Sequence, residues 1–254
     1  MFDQQLAAYL RSQNLLSRRQ MLQGVGLSGM GLLLGSCGTS LLSEPIGKAF
    51  DPLNAGLNAL MQSQRPVPEF AVSAIEPIEK LLINTFDATP QIDPLQFQLN
   101  VDGFVNNPLK LTMADLQKLP LTTMVIRHVC VEGWAAIVQW GGVRLQELVK
   151  LAQPKSNARY VYFTSADGYY ESWDLASAVH PQTLMVYQRN GKPLSVDNGA
   201  PLRLASPIKL GYKQSKWVTQ ITFMDQFMPH EEKDKKGDKK GYWEDLGYEW
   251  FGGI

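Results

Sequence analysis

Between residues 97 and 223 apolar and polar positions alternate in short bursts whose period changes several times. Phe97-Gln98-Leu99-Asn100-Val101 has the period of two expected of a strand with one face buried, and Asp102-Gly103 closes it with turn chemistry. Thr112-Met113-Ala114-Asp115 has the spacing of a capping box, so a short helix is expected to open there. Thr123 to Val129 is rich in β-branched residues and is expected to be extended. Leu145, Leu148, Val149 and Ala152 share one face of a helix that Pro154 stops. Tyr160 to Thr164 and Val218 to Phe223 read as strands again, with Asp167-Gly168 turning the chain after the first.

Strands and short helices are interspersed irregularly rather than in βαβ units. This predicts the α+β class, with mixed sheets and short irregular helices. The chain has no internal repeat and no Gly-rich dinucleotide fingerprint, which argues against a Rossmann domain.

Before residue 70 the pattern changes. Ser17-Arg18-Arg19-Gln20-Met21-Leu22 precedes a weakly apolar stretch from Gly24 to Ser36, and Cys37 follows. Paired arginines ahead of a short apolar stretch resemble a twin-arginine export signal, and Leu34-Gly35-Ser36-Cys37 resembles a lipobox. The stretch is too short to span a bilayer comfortably as a mature helix. An uncleaved anchor and a chance amphipathic helix are the alternatives. The expected division is a signal peptide over residues 1–36, a linker with one short strap helix over 37–69, and one domain over 70–254. Asp51 would cap that helix, with Pro52 at its first position and Leu53, Leu57, Leu60 and Met61 on one face. A lipid on Cys37 would hold the body at the membrane, on the extracytoplasmic (periplasmic) side.

A chain of 254 residues, 44% hydrophobic and 19% charged, suits one sizeable core. Its 24 basic and 24 acidic residues balance, so no long-range field points to nucleic acid or an anionic membrane as a partner. The run Glu231 to Lys240 mixes five lysines with four acids and reads as a solvated, mobile loop.

The chemistry centres on a cysteine. The chain has two, and with Cys37 assigned to a lipid, Cys130 has no partner for a disulfide. It stands in Arg127-His128-Val129-Cys130-Val131-Glu132-Gly133-Trp134. An unpaired thiol in an oxidising compartment is open to oxidation unless it is buried or bound to a metal. Burial in the core is the ordinary reading of a lone cysteine. A thiolate is also a suitable ligand for a soft redox metal, and the twin-arginine route carries folded proteins, which suits a cofactor inserted before export. The three histidines, 128, 180 and 230, show no zinc or haem-attachment spacing. A metal would therefore bring most of its own ligands. Two other classes stay open: a thiol hydrolase pairing Cys130 with His128 or His180, and a metal-free lipoprotein binding module with Cys130 in its core.

Several ordered blocks carry a resemblance. They are Cys130-Val131-Glu132-Gly133-Trp134 with Trp140-Gly141-Gly142, His180 to Met185, Asn198-Gly199-Ala200-Pro201-Leu202-Arg203, and Pro207 to Lys213. Together they resemble the sulfite oxidase-type molybdopterin-binding domain, in the bacterial exported branch that includes periplasmic methionine-sulfoxide reductase catalytic subunits. The likeness runs from about Phe70 to Tyr248-Glu249-Trp250-Phe251-Gly252-Gly253.

The resemblance implies a sulfite oxidase-like fold, molybdenum and molybdopterin as cofactors, and oxygen-atom transfer on a small substrate. That covers S-oxide or N-oxide reduction as well as sulfite oxidation. Cys130 matches the cysteine that ligates molybdenum. Asn198 and Arg203 match positions that hold the pterin and its phosphate, Arg203 being suited to a phosphate fork. The run Gln214-Ser215-Lys216 matches a cofactor-contacting segment, and Asn84 and Ser165 match further pterin contacts, although the family commonly has Thr near Ser165. Gly211 would allow close backbone approach. On spacing alone, Lys209, Lys213 and Lys216 would mark a solvated face, and Asp197-Asn198-Gly199 a tight turn. Arg127 and His128 flank the metal ligand and face either the substrate or the core. The chain has no cytochrome domain of the kind found in animal sulfite oxidases, so the resemblance implies a separate electron partner, a membrane haem protein or cytochrome.

Overall fold

A computed structural model describes residues 65–230 and 237–254. The signal-like residues, Cys37 and the helix expected over 51–61 lie outside the described residues. Among the described residues no helix is long and apolar enough to cross a membrane.

Two five-stranded sheets form the body. In the first, β1 (Gln98–Gly103) lies between β2 (Leu109–Thr112) and β10 (Val218–Met224), and β10 continues to β5 (Tyr160–Ser165) and then β6 (Tyr170–Asp174). The β1–β10 pairing is parallel and joins the two ends of the domain sequence, while the rest of this sheet is antiparallel. In the second, β3 (Leu121–Val129), β4 (Ala135–Arg144), β7 (Leu184–Arg189) and β8 (Lys192–Pro193) follow in order, with β9 (Arg203–Ala205) also on β7. A two-stranded ribbon joins β11 (Met228–Pro229) to β12 (Asp238–Lys239). The C-terminal part of the lysine-rich run expected as a loop is therefore a strand.

The helices are short, as the pattern predicts. In α1 (Met113–Lys118) Thr112 Oγ1 accepts from the Asp115 N–H while the Asp115 carboxylate accepts from the Thr112 N–H, which is the expected capping box. Helix α2 (Leu145–Ala152) buries Leu145, Leu148, Val149 and Ala152 on one face. Helix α3 (Leu175–Ala178) is capped by Asp174. Each has too few turns to be stable alone and persists through packing on the sheets.

The second sheet positions the site. Its inner face buries Met124, Ile126, Val138 and Trp140 in one cluster with Leu184 and Val186. Strands β4 and β7 approach so closely that a Cβ on Gly142 would stand 2.1 Å from the Met185 carbonyl oxygen, which only glycine avoids.

Candidate active site

Cys130 sits at the tip of the β3–β4 hairpin. The turn is closed by the Cys130 N–H donating to the Trp134 carbonyl at 2.9 Å and the Gly133 N–H to the Cys130 carbonyl at 3.2 Å. Along β3 the period of two places Met124, Ile126 and His128 inward. Arg127 points outward, its guanidinium 5.2 Å from the Phe70 ring centroid. The ambiguity between the two flanking residues resolves: His128 faces the interior beside the thiol and Arg127 does not.

The hairpin tip forms one wall of a cavity of about 300 Å³. Cys130, Asn84, Asn198, Arg203, Gln214, Ser215 and Lys216 all line it, although they are spread over more than 130 positions of sequence. Ser165 does not line it. That residue ends β5, and its hydroxyl is buried without a partner among the described residues. His180 is likewise elsewhere, bound to the Arg65 carbonyl oxygen and the Gln182 N–H. Cys130 Sγ makes its hydrogen bond to Glu132 rather than to a histidine. This removes the pairing a thiol hydrolase needs. Cys130 is half-buried on the cavity wall, which does not suit a core cysteine either.

Gly211 is where the chain from 206 to 216 meets the hairpin. A Cβ there would lie 3.1 Å from His128 Nε2 and 3.3 Å from the Val129 carbonyl oxygen. The close approach read from the sequence exists, and its neighbour is the backbone beside the thiol. Gln214, expected at the cofactor, spends its side chain on backbone: its amide donates to the carbonyls of Ser206 at 3.0 Å and Lys209 at 2.6 Å. It holds the loop that presents Ser215 and Lys216.

The electrostatics of the lining point to an anion. Arg203 is 5% exposed, lies 4.7 Å over the Trp140 ring and donates to the carbonyls of Asn198, Leu204 and Gln214. Burial, then the charge of Arg189, lowers its pKa to about 9. Lys216 donates to the carbonyls of Asn84 and Asp197 and stands 4.2 Å over the Trp217 ring. Burial, then Arg203, lowers its pKa to about 8. Neither cation makes an ion pair among the described residues. Asp167 and Asp197 on the cavity wall partly offset the Lys216 charge, but Arg203 has no such acid and is costly to bury unless an anion joins it. His128 is kept neutral, its pKa lowered to about 3 by burial and then by Arg203. Burial also pushes the Cys130 thiol upward.

Sequence reasoning missed several lining residues. Glu132 accepts from Trp134 Nε1 at 3.0 Å and from the Cys130 thiol at 3.6 Å, and its other oxygen lies 3.5 Å from Asn84 Nδ2. Its position two residues after the cysteine was the available signal. Tyr242, Trp243 and Tyr248 close another side from the C-terminal arm, residues 237–254. Lys209 and Lys213, which read as a solvated face, are 1% and 0% exposed, each set against acidic groups rather than water.

Residues 86–231 match the family model described as the oxidoreductase molybdopterin binding domain. The chain belongs to this family. Its members are oxidoreductases, and the cofactor is molybdopterin with molybdenum. A relative from Burkholderia mallei, protein-methionine-sulfoxide reductase catalytic subunit MsrP, is 31% identical over 245 residues, covering 84% of this chain and 70% of its own. MsrP of Campylobacter jejuni is 34% identical over 144 residues, 50% of this chain and 48% of its own. An Azospira oryzae relative at 40% identity covers 66% of this chain and 60% of its own length. This chain therefore spans about half to two thirds of several curated relatives it matches. The crystal structure of the sulfane dehydrogenase SoxCD from Paracoccus pantotrophus superposes with a TM-score of 0.52 at 22% identity, covering 54% of this chain and 40% of that one. The fold is thus of the sulfite oxidase-like molybdopterin type, α+β with mixed sheets.

The residues present fit the family's cofactor. The unpaired cations Arg203 and Lys216 suit a phosphate, Ser215 Oγ and His128 Nδ1 are buried polar atoms without a partner among the described residues, and Cys130 offers a thiol for a soft metal.

Proposed function

We propose that this chain reduces S-oxides of the methionine type, using molybdenum ligated by Cys130 and a pterin held by Arg203, Lys216, Ser215 and Asn198. Asn84 lines the same cavity and belongs to this set. Gln214 acts through the loop, and Ser165, which does not line the cavity, is left out of the set. When bound, the cofactor supplies a two-electron metal centre competent for oxygen-atom transfer. The overall change balances as R–S(=O)–CH3 + 2 H⁺ + 2 e⁻ → R–S–CH3 + H2O.

The chain's own residues bind and orient. Arg203 and Lys216 fix an anion, and the Gly211 contact sets the distance between the cofactor loop and the hairpin. Glu132 anchors Trp134 at the hairpin tip and accepts from the Cys130 thiol only while that group keeps its proton. The thiol must lose its proton to become a ligand, so metal binding releases a proton here.

The observation that carries the reading is the convergence of Cys130 with the buried Arg203 and the half-buried Lys216, neither in an ion pair among the described residues, in one cavity. The relatives that are protein-methionine-sulfoxide reductases support the direction, sulfoxide reduction rather than sulfite oxidation. We further propose that residues 1–36 direct export by the twin-arginine route, that Cys37 carries a lipid, and that a membrane haem protein or cytochrome delivers the electrons. The test is reduction of methionine sulfoxide by the cofactor-loaded protein with a reduced viologen as donor. Viologen oxidation dependent on the sulfoxide is expected. Oxidation of sulfite with no turnover of any S-oxide would overturn the proposal.

A further inference from the structure

Six aromatic side chains form an unbroken arc along the cavity. Successive ring centroids are 6.1 Å apart from Tyr169 to Phe86, 4.5 Å to Tyr242, 5.2 Å to Trp243, 5.1 Å to Tyr248 and 5.5 Å to Tyr212. All six line the cavity. Three of them, Tyr242, Trp243 and Tyr248, belong to the C-terminal arm, which lies beyond the residues that the family model matches.

The arm is a fixed wall. Lys213, fully buried, bonds Glu171 and Glu244 at 2.5 Å each and so ties the arm to β6 and to the loop bearing Ser215 and Lys216. The Leu210 N–H donates to the Gly252 carbonyl at 2.8 Å, and Trp250 Nε1 donates to Ser172 Oγ at 2.9 Å. Rings on a pinned segment present a constant surface to whatever enters.

The arc contains no Lys or Arg. Arg203 and Lys216, which line the cavity too, are not part of the arc and are assigned above to the cofactor's phosphate. A small oxyanion finds no counter-charge on the arc, whereas ring faces suit a polarizable sulfur carrying apolar groups. The apolar character continues outward at Leu82, Ile83 and Val131, which line the cavity while remaining about half exposed.

We propose that the aromatic arc, through Trp243 and Tyr248 of the arm, is the specificity-determining wall: it selects a methyl thioether S-oxide flanked by apolar peptide groups over small inorganic oxyanions. The selection rests on the sulfoxide-reductase reading.

The test uses cofactor-loaded wild type with Trp243→Ala and Tyr248→Ala variants matched for molybdenum and pterin content. Two quantities are read: KM for a peptide containing methionine sulfoxide, and, by calorimetric titration, the Kd for the corresponding methionine peptide, which needs no turnover. Each variant is expected to raise both about tenfold, the loss of roughly one good aromatic contact, and to leave inhibition by sulfite unchanged. Values of KM and Kd within about twofold of wild type would overturn the wall. Tight, arm-dependent peptide binding without any S-oxide turnover would instead overturn the sulfoxide reading and leave the wall as a peptide-binding surface. A variant that fails to load is replaced by Trp243→Leu and Tyr248→Leu, judged on the same two readings.

Discussion

The thiol sulfur of Cys130 lies 3.6 Å from Oε2 of Glu132, and the same oxygen accepts the indole N–H of Trp134 at 3.0 Å. One carboxylate thus links the candidate metal ligand to the far side of its own turn. Once the thiol gives up its proton the Trp134 bond remains to orient the turn that carries the ligand, and groups that orient a metal ligand commonly matter about tenfold or more for metal affinity or activity.

Glu132→Ala is therefore expected to lower turnover about tenfold at equal molybdenum content. Glu132→Gln, whose amide oxygen still accepts from Trp134, is expected to retain most of it. Steady-state rates beside elemental analysis check this. Equal losses in both variants would show that the charge, rather than the orientation of the turn, is what matters.

Arg203 and Lys216 share the cavity, and neither makes an ion pair among the described residues. Arg203→Gln is expected to weaken pterin retention by roughly thirtyfold or more, corresponding to about 2 kcal/mol for a buried charge-assisted contact to a phosphate. Thermal stability of the cofactor-free protein is also expected to fall, since Arg203 holds three backbone carbonyls and the Trp140 ring in that state too, so retention is compared on folded protein. Fluorescence of the oxidised pterin remaining after gel filtration gives the first quantity and calorimetry the second.

The buried cluster predicts a pH dependence. Burial, more than any charge, raises the Glu171 carboxyl well above its ordinary value of 4.5, while Lys213 opposes the rise and Glu244 adds to it. Tyr169, Tyr212 and Lys209 are the other titratable groups coupled to it. A carboxyl whose folded pKa is raised contributes stability that is fully present below its unfolded value and is lost as pH rises through the folded one. Hydrogen exchange in the C-terminal arm should therefore quicken as pH climbs above about 5, after correction for the intrinsic rate. Glu244→Gln, which leaves one carboxylate for Lys213, should flatten the dependence. An arm equally protected at both ends of the range in wild type would contradict the raised Glu171 carboxyl.

The contrast between what was legible in the sequence and what was not has a physical basis. Capping at Thr112, the α2 face and the alternation of β1, β5 and β10 follow local rules, so they read correctly from short windows. Strands β4 and β7 did not: Gly141-Gly142 interrupt β4, and β7 is buried on both faces, which blurs any period of two. Lys209 and Lys213 were misread because the acids around them come from Asp174, Glu171 and Glu244, up to 42 residues away in sequence. The same distance hid the role of Tyr242 and Trp243, whose place is set by how the arm folds back. Cys130 itself was legible only through the ordered blocks around it, since burial and metal ligation look alike in one residue.

The central claim, that Cys130 ligates molybdenum in this cavity, is tested most directly by X-ray absorption at the molybdenum edge on wild type and Cys130→Ser, both co-expressed with cofactor biosynthesis. Wild type is expected to hold about one molybdenum per chain, and the variant to show one fewer sulfur neighbour and no S-oxide turnover. The same sulfur count in both proteins, or wild type that takes up neither molybdenum nor pterin, would contradict it.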